Sequence, residues 1–210
     1  MNPIGVLARS PLWSQPPLLV VTNLVVMLAF VLIAVAIVVD FRNYHRQSTR
    51  VVRSDRSFVE TGSMTAFFVA YYLVIRLRWL EVDVAGSART AMIVIGLVLV
   101  VLGVIVNVWG RVLLKSSWSN QIKIYEGQRL LTSGPFAAVR HPLYASLIWT
   151  FVGGSLIYSN PLSLLLTIGV FVPMMYVRAK KEDALLLENF TGEYERYRSR
   201  TGMFFPRTWR

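Results

Sequence analysis

Two short constellations hold most of the chemistry this chain could do. Arg140-His141-Pro142-Leu143-Tyr144 sets a cation, an imidazole and a phenol around a proline. Pro142 suits the first turn of a helix, where its missing N–H is not needed. A helix start with a cation beside it favours an anionic group such as a carboxylate. Arg178-Ala179-Lys180-Lys181-Glu182-Asp183 gathers cations and anions in six residues, a set able to hold a zwitterion such as an amino-acid moiety. Each set also has a plain reading. The first would serve as positive-inside anchor, interfacial polar residue and belt aromatic, and the second as a solvated cluster of weak ion pairs. The chain has no cysteine and only two histidines, His45 and His141, so no metal site is expected. It also lacks a dinucleotide-type glycine loop, a Gly-x-Ser-x-Gly elbow and a His-Glu-x-x-His pair.

The elements that must position these residues are apolar. Of 210 residues, 55% are hydrophobic and 16% charged, with 22 Lys+Arg against 11 Asp+Glu. A soluble domain carries about 25% charged residues. The composition therefore excludes an acidic or disordered chain and points to a bilayer with cationic loops rather than to nucleic acid. Apolar runs at Pro17–Val39, Ser57–Leu80 and Thr90–Trp109 read as membrane spans. Gly96 and Gly103, seven apart in the third, suggest a close helix contact. A polar stretch from Gly110 to His141 follows, too long for an ordinary connection. Leu143–Tyr158 and Leu162–Val177, joined by Ser159-Asn160-Pro161, read as a helical hairpin. Such a hairpin brings Arg140–Tyr144 and Arg178–Asp183 to one membrane face.

Basic residues concentrate in Asp40–Arg56, Gly110–His141 and the tail from Arg178. These fall on one side only if there are five spans, with the N-terminus out and the C-terminus in. In the tail, Leu186, Phe190, Tyr194 and Tyr197 recur at helical spacing between charged residues, predicting a cytosolic amphipathic helix over 179–200. The expected fold is all-α: a three-helix membrane region (1–110), then a catalytic region (111–210) with loop, hairpin (143–177) and C-terminal helix.

Gly127-Gln128-Arg129-Leu130-Leu131-Thr132-Ser133-Gly134-Pro135-Phe136, followed by Arg140-His141-Pro142-Leu143-Tyr144, resembles the isoprenylcysteine carboxyl methyltransferase family. Glu182-Asp183, Phe190, Glu193-Tyr194, Tyr197 and Phe205-Pro206 continue the resemblance, which runs from Trp118 to Arg207. It implies an integral membrane methyltransferase that uses S-adenosylmethionine, held in a cytosolic pocket of loop, hairpin and tail, and takes a lipophilic acceptor from the bilayer. By position in the motif, Gln128, Leu130, Arg140, His141, Tyr144 and Glu182 would bind the cofactor. Leu130 would meet the adenosine through backbone groups, and Glu182 would lie near the methionine end. Arg140, Glu182 and Arg178 are the candidates for catalysis, the arginines as readers of a carboxylate. Gln128 stands where the family commonly has histidine, and Asp183 where a second Glu is usual, which makes Glu182 the preferred carboxylate.

The acceptor implied is a carboxylate such as prenylcysteine or an analogue, since a carboxylate is already ionised and needs no general base. Phospholipid amines and small thiols are alternatives within the class, and an NADPH-dependent membrane reductase is one outside it. A non-enzymatic channel or scaffold would have no use for the polar residues gathered at the hairpin mouth. The expected location is a multi-pass protein of the plasma membrane in a prokaryote or the endoplasmic reticulum in a eukaryote, with a cytoplasmic site. Arg outnumbers Lys 18 to 4, pointing to a GC-rich prokaryotic source, where a prenylated CaaX protein would not be the natural substrate.

Overall fold

The computed structural model describes residues 17–45, 51–55, 58–114, 122–125 and 130–207. Its long helices are α1 (Pro17–His45), α2 (Phe58–Arg76), α3 (Gly86–Leu114) and α5 (Pro142–Ile157). A further continuous helix consists of α6 (Pro161–Leu166), a π-helical turn (Thr167–Phe171) and α7 (Val172–Asn189). A short α4 (Pro135–Ala138) precedes α5, and α8 (Glu193–Arg200) follows α7. Two short strands, β1 (Val51–Asp55) and β2 (Ile122–Tyr125), pair antiparallel with a register shift between Val51 and Arg53, a small departure from the expected all-α chain.

All five apolar segments form helices. Among the described residues, three stretches are long and apolar enough to cross a bilayer: Pro17–Ala36, Gly86–Leu114 and Pro161–Asn189. Gly62–Arg76 and Pro142–Ile157 are shorter apolar helices. Pro173 sits inside the long 161–189 helix, where it removes a backbone donor. The π turn just before it re-registers the ladder, as such turns do where a helix must absorb an interruption.

The heptad glycines of α3 meet α5. A Cβ on Gly96 would lie 2.6 Å from the Gly153 carbonyl oxygen, and one on Gly103 would lie 2.8 Å from that of Ser146. Gly110, a further seven residues on, would meet Leu143 Cδ2 at 2.9 Å. Backbones can approach this closely only where side chains are absent, and a seven-residue repeat keeps the small face on one partner over two turns. The buried Asn107 on the same face donates to Ser146 Oγ at 2.8 Å and accepts from Arg111 Nε at 2.8 Å.

A second core joins α2, α5 and the π turn through Phe67, Tyr71, Phe151 and Phe171. Phe67 stacks on Phe171 at 4.6 Å and meets Phe151 edge-on at 5.1 Å. Such pairs add about 0.5–1.5 kcal/mol each beyond area burial.

At one end of the bundle, the α5–α6 turn is tied to the α2–α3 link and to the first turn of α3. Val82 N–H donates to the Ser159 carbonyl, Asn160 Nδ2 to the Trp79 carbonyl, and Arg89 to both the Ile157 carbonyl and Ser159 Oγ. Asn160 also caps α6 by accepting from Ser163 N–H at 2.8 Å, the standard role of a short amide side chain ahead of a helix. The hairpin read from Ser159-Asn160-Pro161 is therefore present, and its open mouth lies at the other end.

The tail is divided. The expected 179–200 helix breaks at Phe190–Gly192, with Gly192 at φ 76, a left-handed conformation that favours glycine. Beyond the break, α8 reaches α4 through Tyr197, which donates to the Phe136 carbonyl.

Candidate active site

At the open mouth of the hairpin, α5 begins with His141 as its N-cap residue and α7 carries Arg178, Glu182 and Asp183 on the facing helix. The strand-like segment before α5 is fixed from outside. Arg140 N–H donates to the Gly202 carbonyl at 2.8 Å and His141 N–H to the Met203 carbonyl at 3.1 Å, beside a parallel bridge between Val139 and Gly202. Gly134 (φ +61) starts α4 where a Cβ would lie 2.5 Å from Leu113, so this turn needs glycine to fit beneath α3. Tyr197 ties the tail back once more, donating to the Phe136 carbonyl at 2.6 Å.

His141 lies between two carboxylates. Its Nε2 is 2.7 Å from Asp183 Oδ1 and its Nδ1 is 3.3 Å from Glu182 Oε2. The ring stacks on Tyr144 at 5.6 Å and meets Phe204 edge-on at 6.3 Å. Burial on its own pulls this imidazole down. Hydrogen bonds to Asp183 and Glu182, and their charges, outweigh it and push the group up from 6.5 to about 9. His141 is thus an imidazolium at neutral pH, with both nitrogens donating.

Asp183 is the centre of the cluster. It accepts from His141 and from the hydroxyl of Tyr194, which is fully buried, and its Oδ2 lies 3.5 Å from Arg140 Nη2. Burial and the neighbouring Asp183 charge raise the Tyr194 phenol above its usual range, so it stays a donor. Arg140 also donates to the carbonyls of Thr201 and Arg198. Glu182 is partly exposed, its side chain retaining 36% of its accessibility against 5% for Asp183.

Arg178 extends the cluster toward the apolar body. Its Nε donates to Tyr144 Oη at 3.1 Å, and it lines a cavity of about 310 Å³ with Ser63, Met64, Pro173, Met174, Met175 and Val177.

The structure therefore brings together Arg140, His141, Tyr144, Arg178 and Glu182. Leu130 is half-buried at the start of the described segment that leads to α4, and Gln128 lies outside the described residues. Asp183, Tyr194 and Thr201, which the sequence does not mark as site residues, also touch the cluster. Aspartate, one methylene shorter than glutamate, suits a carboxylate buried against His141.

S-adenosylmethionine presents a carboxylate, an ammonium and a sulfonium. Three cations and two carboxylates beside aromatic rings are a matching donor set. Arg140 Nε and Asp183 Oδ2 are moreover buried with no hydrogen-bond partner, which leaves polar capacity unspent in the cluster. The residues fit the group.

Fold and site together define a multi-pass helical membrane protein with a charge-paired chamber at one end. Residues 94–188, which include the Arg140–Tyr144 and Glu182-Asp183 motifs, match the model of the isoprenylcysteine carboxyl methyltransferase (ICMT) family. Over 115 residues the chain is 30% identical to protein-S-isoprenylcysteine O-methyltransferase of Saccharomyces cerevisiae, covering 54% of this chain and 48% of that protein. It is 33% identical over 115 residues to a probable protein-S-isoprenylcysteine O-methyltransferase of Oryza sativa subsp. japonica, covering 53% and 60%. A third relative, the nickel-cobalt-cadmium resistance protein NccN of Alcaligenes xylosoxydans xylosoxydans, is 39% identical over 79 residues, covering 37% and 36%. The chain spans about half the length of the curated relatives it matches.

Proposed function

We propose that the chain is a membrane methyltransferase that uses S-adenosylmethionine and acts on a lipophilic carboxylate, prenylcysteine or an analogue. The observation that carries this reading is the His141 ring held between Glu182 and Asp183 and continued, through Tyr144, to an Arg178 that lines an apolar cavity. Polar groups for a zwitterion and an apolar berth with a cation at its rim thus adjoin.

S-adenosylmethionine, when bound, supplies an electrophilic methyl group. Glu182, the more accessible carboxylate, would receive the ammonium of its methionine end. Arg140 and His141 would supply positive charge to the carboxylate, Tyr144 a ring wall, and Leu130 and Gln128 contacts to the adenosine. Arg178 is placed to orient the acceptor carboxylate while its lipid chain rests against Met64 and Met174. Alignment at about 3–3.5 Å and exclusion of water are the protein's main contributions to an in-line displacement. The acceptor is already ionised, so none of these residues has to remove a proton.

The same reading takes all five apolar helices as spans, with the N-terminus out and the chamber in the cytoplasm. Residues 1–110 then form the membrane scaffold and 111–210 the catalytic region. Calorimetric titration of the detergent-purified protein with S-adenosylhomocysteine tests it, with NADPH as the contrasting ligand. Binding of the nucleoside thioether that is lost in Glu182→Ala and His141→Ala supports the reading; binding of NADPH alone, or of neither, overturns it. Transfer of radiolabelled methyl to prenylcysteine analogues, but not to extracted phospholipids or thiols, is the result expected for the acceptor.

A further inference from the structure

A second apolar cavity lies away from the charge-paired chamber. It encloses about 450 Å³ between α1, α2, α3 and α5, a volume typical of small-molecule sites. Its wall includes Leu24, Met27, Phe30, Ile75 and Val100. Leu24, Met27 and Phe30 are 47–59% exposed, so the cavity opens sideways along α1, toward what would be lipid.

One residue in this wall is out of keeping with the rest. Arg76, at the C-terminal end of α2, lines the cavity, and its Nη1 is buried with no hydrogen-bond partner. Its neighbour Arg78 is satisfied by Glu81 at 2.5 Å, whereas no carboxylate among the described residues pairs with Arg76. The last-turn carbonyls of α2 favour a cation there but leave Nη1 without an acceptor. Arg76 is half-buried; a guanidinium cannot shed its charge, and a buried nitrogen of it left without an acceptor is costly. It is therefore a group awaiting an anion. Asn23 and Tyr158, hydrogen-bonded to each other at 3.2 Å, line the same cavity.

We propose that this cavity binds an anionic phospholipid, one acyl chain lying among α1, α2, α3 and α5 and the phosphate on Arg76, with Asn23 and Tyr158 as further polar contacts. The apolar wall selects a chain, the lone guanidinium selects a negative head, and the lateral opening lets the lipid enter from the bilayer. Arg76, Asn23 and Tyr158 stand at the end of the bundle that carries the Ser159–Asn160 turn, opposite His141. The site is thus separate from the chamber, and its occupancy does not depend on the transferase reading.

Native mass spectrometry of the full chain in detergent, with dioleoylphosphatidylglycerol or dioleoylphosphatidylcholine added, tests this. The anionic lipid is expected to bind the wild type about fivefold tighter than the zwitterionic one, the preference one interfacial arginine confers. Arg76→Gln should abolish that preference and Arg76→Lys should keep most of it. Met27→Trp, which fills the opening without touching the cation, should weaken both lipids alike. Equal binding of the two lipids to the wild type, or an unchanged preference in Arg76→Gln, overturns the proposal. If Arg76→Gln does not fold, the wild-type preference and the Met27→Trp result decide. Binding of free glycerol 3-phosphate as tight as that of the lipid would equally overturn it, since the chain would then contribute nothing.

Discussion

At the level of single residues, the chamber is organised by a buried carboxylate rather than by the accessible one. Asp183 meets His141, Tyr194 and Arg140 at once, so removing its charge strands three partners. Asp183→Asn should cost about 3 kcal/mol or more, the usual penalty for breaking a buried pair. Glu182→Gln, at a partly exposed site, should cost no more than about 1 kcal/mol yet weaken nucleoside binding. Denaturant melts paired with calorimetry separate the two effects. The pH dependence follows from the raised imidazole. His141 is held at about 9 against 6.5 for the free group, so its contribution is complete below about pH 6.5 and lost as pH rises through about 9. The difference in melting temperature between wild type and His141→Gln should therefore be constant from pH 5.5 to about 6.5 and shrink steadily toward about pH 9.5. This residue scale was only half legible in sequence. Residue type and order named His141 and Glu182, but burial made Asp183 the hub, and burial is decided by the path of α7 and α8.

The helices pose a different problem, because here small residues matter more than charged ones. Gly96 and Gly103 allow α3 to touch α5 along its length, and their spacing already suggested it. Gly103→Leu should overpack this contact and cost about 1–3 kcal/mol or more. Gly62→Ala is the control: nothing lies within 4 Å of a Cβ there, and alanine in a helix is favoured by up to about 1 kcal/mol. Opposite shifts of melting temperature in the two variants would verify the contact. The apolar segments and the Ser159-Asn160-Pro161 turn were readable because hydropathy and turn chemistry are local. The break in the tail is hidden in the sequence, although Gly192 marks it, because the amphipathic spacing of Leu186, Phe190, Tyr194 and Tyr197 continues smoothly across it. The π turn before Pro173 left no periodic signal either.

Across the whole molecule, the chamber depends on contact between distant parts of the chain. Ending the chain after Arg200 would remove the carbonyls of Gly202, Met203 and Thr201 that hold Arg140 and His141. At about 1 kcal/mol for each such bond, nucleoside binding should fall on the order of a hundredfold while the membrane helices stay folded. Calorimetry and circular dichroism on the truncated chain would check both halves of that expectation. Pairing of Val139 with Gly202 has no local signature, which is why the sequence placed the tail near the chamber only through its family resemblance.

That pairing also sets an order of events during synthesis. Residues 139–141 leave the ribosome well before their partners at 202 and 203. The polypeptide therefore spends the translation of some sixty residues with His141 unfastened. The chamber can be completed only after the tail has been made.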